Sequence, residues 1–345
     1  MLTHLDNNTF IGKSTMRDER IDAIKGLLIL FVILGHVIGS LGIGALNDHV
    51  WMFIYFFHMP LFILISGYFS KRLDDKKSFW KSLLPFIVIL FVFQFISLFI
   101  VCVVLHDPIS ISLLITPYWT LWYLLSLVFW KIMLQFTPKF LIDSPYLYLA
   151  VATVISVFCG LIPYGRILSI QRTLNFFPFF LYGYYMRQGR FAQKLWNNKI
   201  SYLILTIAIV LIIISIPPPL KQTIFFSCDK LKFLLRGSSQ YSISEVPLKA
   251  CVLICSFLLS ISLFNIIPKV KALSCIGKDS LLYYLYHGIL IRFVITPLVL
   301  HFNSPSNILF MLLYSLLVVC IIYFIGKLGF FRRLVYPRFV KKYKG

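Results

Sequence analysis

The chain has 345 residues, of which 59% are hydrophobic and only 13% are charged, whereas soluble domains average about 25% charged residues. This composition excludes an ordinary soluble globular protein and indicates an integral membrane protein. The net charge of +21 comes from Lys and Arg in short segments between apolar runs. That distribution is typical of the cytoplasmic loops of membrane proteins and argues against nucleic acid as a partner.

Ten apolar segments approach the length of about 20 residues that a membrane-spanning helix requires. The segments between them alternate between rich and poor in Lys and Arg, which favours cytoplasmic placement of both termini. The sequence therefore predicts an all-α, polytopic integral membrane protein with about ten transmembrane helices. Its predicted parts are a cytoplasmic N-terminal segment 1–25, a transmembrane domain 26–326 and a basic cytoplasmic tail 327–345. The predicted spans lie near 26–45, 51–70, 82–105, 118–136, 146–163, 174–187, 200–217, 247–267, 281–301 and 307–326.

The first span carries charged and titratable side chains on one face. His36 follows Lys25 by eleven residues, which returns it to within about 20° of Lys25 around a helix and about 16 Å further along it. Asp22 lies on the same face, three residues before Lys25. We therefore expect His36 near the centre of the membrane.

The second span, WMFIYFFHMPLFILISGYF, carries His58 about 18 Å from its cytoplasmic end. His36 and His58 should therefore reach similar depths, and Ser66-Gly67 permits close helix packing. A single intramembrane histidine can be a hydrogen-bonded packing residue. Two at one depth, with Asp22 and Lys25 aligned below, indicate a functional site, because ionisable groups are costly in a bilayer. A neutral imidazole there can act as a general base.

Further polar residues in later spans are candidates for binding an acceptor or stabilising an oxyanion. Arg292 needs an anionic or carbonyl partner at its predicted mid-depth, and a role on the tetrahedral oxyanion is one possibility. His287 is either a site residue or an interfacial anchor among tyrosines, and Trp122 is either a sugar-stacking platform or part of an aromatic belt. Arg166 and Arg172, near the outer face, are either hydrogen-bond donors to an acceptor or snorkelling interfacial residues.

Several of these segments together resemble the membrane acyltransferase-3 family. They are Asp22-x2-Lys25-Gly26-x9-His36, FHMPLFILISGYF, WYLLSL, RTLNFFPFFLYGYYMR and LLYYLYHG, and the likeness extends from about residue 18 to 326. The chain is most similar to the branch of sugar O-acetylases that resemble fucose 4-O-acetylase. Much of the family has Arg at the position of Lys25, but this branch often has Lys there.

The resemblance implies an O-acetyltransferase that takes an acetyl group from cytoplasmic acetyl-CoA. The acceptor would be a hydroxyl of a cell-surface polysaccharide or of a lipid-linked glycan precursor. The residue matching His36 would be catalytic, and the residue matching Lys25 would be essential near the CoA end. The branch also implies a bacterial cytoplasmic (inner) membrane location, with several spans.

The residues themselves are compatible with that chemistry. Lys25, Arg20, Lys71 and Arg72 offer cations for the phosphates of CoA at the cytoplasmic face. His36 can act as a catalytic base or as an acyl carrier, and the sequence does not separate these roles. His58 could orient His36 or contact the acceptor. We expect no permanently bound cofactor and no metal, since no metal-ligand spacing appears.

Two other classes of protein compete with this hypothesis. A glycan or lipid transporter or flippase could use buried His and Arg as a proton relay, although no internal repeat is visible. A scaffold in a polysaccharide assembly complex would leave the buried charges unexplained. The sequence leaves open the acceptor sugar, the hydroxyl position, whether the transferred group is acetyl or another short acyl group, and whether the protein forms a homo-oligomer.

Overall fold

The computed structural model describes residues 18–41, 45–104, 106, 115–161, 167–192, 194–195, 197–215, 246–302 and 307–336. These residues form helices and connecting turns, and the described part of the chain contains no β-strand. The all-α prediction is therefore confirmed.

We number the helices of the described residues in chain order. They are α1 (Glu19–Leu41), α2 (Ala45–Tyr68), α3 (Lys76–Phe99), α4 (Trp122–Phe136), α5 (Lys139–Ile142), α6 (Pro145–Phe158), α7 (Ile170–Arg187), α8 (Lys199–Ser215), α9 (Val246–Ile266), α10 (Lys271–Lys278), α11 (Ser280–Leu290), α12 (Thr296–His301), α13 (Ile308–Lys327) and α14 (Gly329–Val335). The π-helical turn Ile100–Val104 continues α3, and the π-helical turn Ile291–Ile295 joins α11 to α12. The 3-10 turns at Trp119–Leu121 and Ile167–Ser169 precede α4 and α7.

All ten predicted spans fall on helices, but not all of these helices meet the requirements for crossing a membrane. Helices α6 and α8 are apolar but shorter, and α7 carries Gln171 and Arg172 in its first turn. The protein is thus a polytopic helical membrane protein, while the number of ten crossings and the cytoplasmic termini stay predictions. Seven helices of the described part are long and apolar enough: Glu19–Leu41, His49–Tyr68, Lys76–Val103, Trp119–Phe136, Val246–Ile266, Ser280–His301 and Ile308–Lys327.

The first helix begins earlier than hydropathy predicts, at Glu19 rather than near residue 26. Arg20 donates hydrogen bonds to the carbonyl oxygens of Phe264 and Ile267 at the end of α9, which satisfies acceptors that a helix end leaves open. Asp22 pairs with Lys25 at 2.7 Å. The helix therefore continues through polar residues because their charges are compensated within the protein.

Helix α1 lies at the centre of the bundle. The most apolar part of α1 is 72% buried, whereas that of α3 and of α13 is only 22% buried. Helix α1 packs against α2, α10, α11 and α13, and α2 packs in turn against α7 and α9. The outer helices expose large apolar side chains, such as Phe91 and Phe95 on α3, which is the surface expected where a helix contacts lipid.

Helices α2 and α7 cross in backbone contact at a pair of glycines. A Cβ on Gly67 would overlap the carbonyl oxygen of Phe180, and a Cβ on Gly183 would overlap the carbonyl oxygen of Leu64. The close packing predicted at Ser66-Gly67 is therefore present, and its partner is α7. This crossing fixes the spacing between two helices that contribute to the site described next.

Candidate active site

A cavity of about 140 Å³ lies near the end of α1 at Leu41, where four parts of the chain meet. Helices α1, α2 and α7 contribute side chains, as does the segment formed by the 3-10 turn at Trp119 and the start of α4. One buried water needs about 10–15 Å³ of such space, so the cavity has room for roughly ten water-sized groups. The cavity can thus hold part of a small polar molecule. Its lining residues are His36, Gly39, Ser40, Tyr55, His58, Met59, Trp119, Trp122, Arg172 and Phe176.

His36 lines this cavity rather than facing outward from the bundle. Its Nδ1 atom is 3.4 Å from the hydroxyl oxygen of Tyr55, a long hydrogen bond. The Trp119 ring stands edge-on to the imidazole, with ring centroids 4.9 Å apart. His36 lies only five residues before Leu41, about 8 Å along the helix, so its position is shifted from the expected centre of the span toward that end.

His58 lines the same cavity as His36. Its Nδ1 atom is 2.7 Å from the carbonyl oxygen of Ile54. Because a carbonyl can only accept, Nδ1 carries the proton and donates it, and in the neutral ring Nε2 holds a lone pair. The backbone of α2 thereby fixes the tautomer of His58.

His287 is fully buried beside His36, with ring centroids 5.2 Å apart. An interfacial anchor would keep a polar edge in contact with water, so this alternative is excluded by the burial. The ring is held by the backbone of its own helix, since Nδ1 is 2.6 Å from the carbonyl oxygen of Tyr284. The structure therefore adds a third histidine to the two that the first spans supply.

Arg172 and Trp122 form one wall of the cavity. The guanidinium carbon lies 5.2 Å from the Trp122 ring centroid, and Trp122 stacks on Phe176 with centroids 5.6 Å apart. Trp122 is thus turned toward the cavity, which disfavours the aromatic-belt alternative. Arg166, the other arginine predicted at this face, lies outside the described residues.

Asp22 and Lys25 lie together near the other end of α1. Their ion pair of 2.7 Å is about 16 Å along the helix from His36. Asp22 is therefore not brought to the cavity, and its predicted catalytic role has no geometric support in the structure. The physical reason is that a shared helix face does not bring residues together when they are three turns apart.

The predicted CoA-binding cations fall into two groups. Arg20 is engaged with α9, and Arg72 donates to the carbonyl oxygen of Gln135 at 3.2 Å, so both stabilise contacts between segments. Lys71 is exposed, and the Lys25 side chain is 18% exposed. Lys71 and Lys25 therefore remain as candidates for binding phosphate.

A neighbouring ion pair adds charge at the same end of the bundle. Lys269 lies 2.6 Å from Glu19, and this carboxylate raises the pKa of the Lys269 amine above its ordinary value. The amine thus stays protonated at neutral pH.

Arg292 is exposed on the π-helical turn and is not among the residues that line the cavity. It follows His287 by five residues, which correspond to about 140° around an α-helix, so the two side chains leave the helix on different faces. The predicted oxyanion role of Arg292 therefore has no geometric support in the structure.

Three aromatic residues of the cavity were not assigned to the site from the sequence: Tyr55, Trp119 and Phe176. Tyr55 is three residues before His58, and Phe176 is four residues after Arg172, so helical spacing could have placed each beside a predicted residue. Trp119 begins the 3-10 turn that precedes α4. Its backbone has φ = +36°, a conformation that is strained for a bulky residue and that often occurs at functional sites.

Comparison with known proteins gives a family match across most of the chain. A family model described as an acyltransferase domain (Acyl_transf_3) matches residues 18–327. The chain is also similar to the nodulation protein NolL of Sinorhizobium fredii, with 41% identity over 71 residues, and to NolL of Mesorhizobium japonicum, with 44% identity over 71 residues. Each match covers 19% of this chain and 19% of the relative, so it spans about a fifth of either protein. No solved structure matches the chain.

Proposed function

The chain belongs to the acyltransferase family whose model it matches, and from this premise we propose that it is a membrane-embedded O-acetyltransferase. The proposed donor is acetyl-CoA, and the proposed acceptor is a hydroxyl of a cell-surface polysaccharide or of a lipid-linked glycan precursor. The observation that carries the proposal is the cavity in which His36 meets the Tyr55 phenol, the His58 imidazole and the Arg172 guanidinium.

The proposed reaction needs one base that later acts as an acid. His36 takes the proton of the acceptor hydroxyl as the oxygen attacks the thioester carbonyl, and a C–O bond forms. The C–S bond then breaks, and the CoA thiolate receives the proton from His36. A route in which His36 first carries the acetyl group uses the same residue as a nucleophile.

Two donors of the cavity are available for the negative charge that develops on the carbonyl oxygen. The Tyr55 hydroxyl lies 3.4 Å from His36 Nδ1, and Arg172 occupies the opposing aromatic wall. Donors held in place in a low-dielectric site stabilise an oxyanion more than the same groups do in water. We assign the oxyanion to these two groups instead of Arg292.

The walls of the cavity support a sugar as the acceptor. Trp119, Trp122 and Phe176 offer apolar ring faces, while Arg172, Ser40 and Tyr55 offer hydrogen-bonding groups. A pyranose ring has both apolar C–H faces and polar hydroxyl edges, so such a mixed lining suits it. A lipid-linked glycan would bring this ring to a cavity at the end of a membrane helix.

The donor is proposed to approach from the Lys25 end of α1. Lys25 and Lys71 are the cations we assign to the phosphates of CoA. The distance of about 16 Å from Lys25 to His36 along the helix is comparable to the reach of the pantetheine arm. Acetyl-CoA is then a substrate rather than a bound cofactor. The proposed location is the bacterial cytoplasmic membrane.

The first test replaces His36 in cells that depend on the chain for acetylation of their surface glycan. His36→Ala should lower the acetyl-ester content of the glycan to the level of the deletion strain, because the acceptor hydroxyl then loses the group that takes its proton in the proposed reaction. Mass spectrometry of the glycan measures this content, with the amount of protein in the membrane checked in parallel.

The matched control is His301→Ala, which removes an exposed histidine at the end of α12 and should leave acetylation unchanged. Acetylation at the wild-type level in His36→Ala would contradict the proposal. The transporter alternative is separated by labelled acetyl-CoA: movement of glycan without incorporation of label would favour transport.

A further inference from the structure

The imidazole of His287 presents an unsatisfied acceptor inside the bundle. Its Nδ1 atom is 2.6 Å from the carbonyl oxygen of Tyr284 and 3.1 Å from that of Tyr283, so Nδ1 must carry the proton and donate it. In the neutral ring Nε2 therefore holds a lone pair. Within the described part of the chain this Nε2 atom is buried and has no hydrogen-bond partner.

An unpaired polar atom in a fully buried side chain is destabilising, and each case in a native protein calls for an explanation. His287 has 0% exposure, and a residue needed only for packing could be apolar. The neighbouring glycine, Gly288, leaves space for Thr120, so the backbone of α11 comes close to the 3-10 turn that carries Trp119. The helix is thus placed to hold His287 against the residues that surround His36.

His36 lies beside His287 and has a ring nitrogen that can use its lone pair. The two ring centroids are 5.2 Å apart and the ring planes are inclined at 37°. The Nδ1 atom of His36 contacts Tyr55, a residue of the cavity lining. The other nitrogen, Nε2, is then the one available to donate to His287.

We propose that His287 is a positioning residue for His36. The two imidazoles form no hydrogen bond in the structure, but their closeness means that a small turn of the His36 ring lets its Nε2–H donate to Nε2 of His287, which leaves Nδ1 of His36 unprotonated and able to take the proton of the acceptor hydroxyl. This inference rests on the proposed function of His36. No bond to His287 is made or broken, since the proton that His36 takes from the hydroxyl returns to the CoA thiolate. His287 fixes the tautomer of the base and accepts a hydrogen bond from the imidazolium that forms.

Three substitutions at His287 separate positioning from a structural role. His287→Asn keeps a donor near the Nδ1 position but has no acceptor at the Nε2 position. His287→Gln can place an amide oxygen near the Nε2 position but loses the donor to Tyr284. His287→Phe retains the ring and removes both functions.

The assay follows transfer of label from radiolabelled acetyl-CoA to the glycan present in membranes of the native host. General-base catalysis contributes about 10²–10⁴-fold to rate, so loss of the orienting group should lower kcat at least about tenfold. We expect this loss in His287→Asn and His287→Phe with the KM for acetyl-CoA unchanged, and a several-fold recovery in His287→Gln relative to His287→Asn.

The opposite order would overturn the inference. If His287→Asn retained the wild-type kcat while His287→Gln matched His287→Phe, the role of His287 would be its anchor to Tyr284. A matched control is Thr296→Val, which removes another buried polar atom without a partner from the same helical run and should leave kcat unchanged. Thermal unfolding of each variant in detergent checks that the protein is folded.

His36→Ala in the same membranes distinguishes the two proposals. If the wild type transfers label and His36→Ala does not, the proposed function stands and the His287 series alone decides the inference. If the wild type transfers no label, or His36→Ala transfers it normally, both proposals fall, since His287 acts only through His36.

Discussion

Arg172 is the fixed positive charge on the cavity wall, and its contact with Trp122 determines how it can bind an acceptor. The guanidinium carbon lies 5.2 Å from the indole centroid, which is within the range of a cation–π contact. An arginine held in this way can donate two parallel hydrogen bonds, which a lysine cannot. We therefore expect Arg172 to act in the cavity, on the acceptor or on the oxyanion, and not on the phosphates of CoA.

Substitution of Arg172 should slow the transfer step without weakening the binding of acetyl-CoA. Arg172→Gln and Arg172→Lys are each expected to slow transfer of label to glycan by about tenfold or more, since a hydrogen bond to a charged group contributes about 1.5–3 kcal/mol. The KM for acetyl-CoA should stay constant, and kinetics in membranes measure both quantities.

The control for Arg172 is Arg187, another arginine of α7 that also lies against an aromatic ring of a neighbouring helix. Arg187 lies 5.9 Å from the Tyr68 ring centroid at the other end of α7, and Arg187→Gln should leave transfer unchanged. A rise in the KM for acetyl-CoA in the Arg172 variants, at constant transfer to glycan, would assign Arg172 to the binding of acetyl-CoA instead.

The crossing of α2 and α7 is the feature of the helices that shapes the cavity. Helix α2 carries Tyr55 and His58, while α7 carries Arg172 and Phe176. Gly67 and Gly183 let the two backbones touch, so the distance between the two walls depends on the absence of side chains at this crossing. Stability and activity should therefore respond together to substitution there.

Gly67→Ala should destabilise the protein and lower its activity. The new methyl group would overlap the carbonyl of Phe180, and forcing extra volume into a packed interface costs about 1–3 kcal/mol. We expect a lower melting temperature in detergent and reduced acetylation. Gly329→Ala is the control, because a Cβ there meets nothing within 4 Å. An unchanged melting temperature in Gly67→Ala would show that the helices separate without cost.

At the scale of the whole molecule, the two ends of the bundle differ in chemistry. One end has the ion pairs Asp22–Lys25 and Glu19–Lys269, together with Arg332, which binds Asp279 through both terminal nitrogens. The other end has the cavity with His36. If the donor is cytoplasmic and the acceptor is not, the ion-pair end must face the cytoplasm and the cavity must face the opposite side.

Labelling of cysteines from one side of the membrane tests this orientation. Ser40 lines the cavity, and Cys275 is an exposed native cysteine on α10 at the ion-pair end. In a variant that keeps Cys275 as its only native cysteine, Ser40→Cys should react in intact cells with a maleimide that cannot cross the membrane. Cys275 should react only after permeabilisation. The reverse pattern would place the N-terminus outside and contradict the proposed route of acetyl-CoA.

Much of the fold and part of the site could be predicted from the sequence, for identifiable physical reasons. Long apolar segments leave little choice but helices, because a backbone in lipid must satisfy its own hydrogen bonds. His36, His58 and Arg172 stood out because ionisable groups in such segments are rare and costly. Helical spacing also paired Asp22 with Lys25 correctly, because residues three apart are neighbours on any helix.

What the sequence by itself determined is therefore the set of helices and the unusual residues they carry, and the tertiary structure decided which of those residues meet. His287, Trp119 and His36 come from distant parts of the chain, and only the packing of α11 and the 3-10 turn against α1 brings them together. Likewise, Arg20 is taken up by the end of α9 and Arg292 lies on the exposed face of its turn. The period of a helix fixes neighbours within that helix, whereas contacts between helices depend on how all the surfaces pack at once.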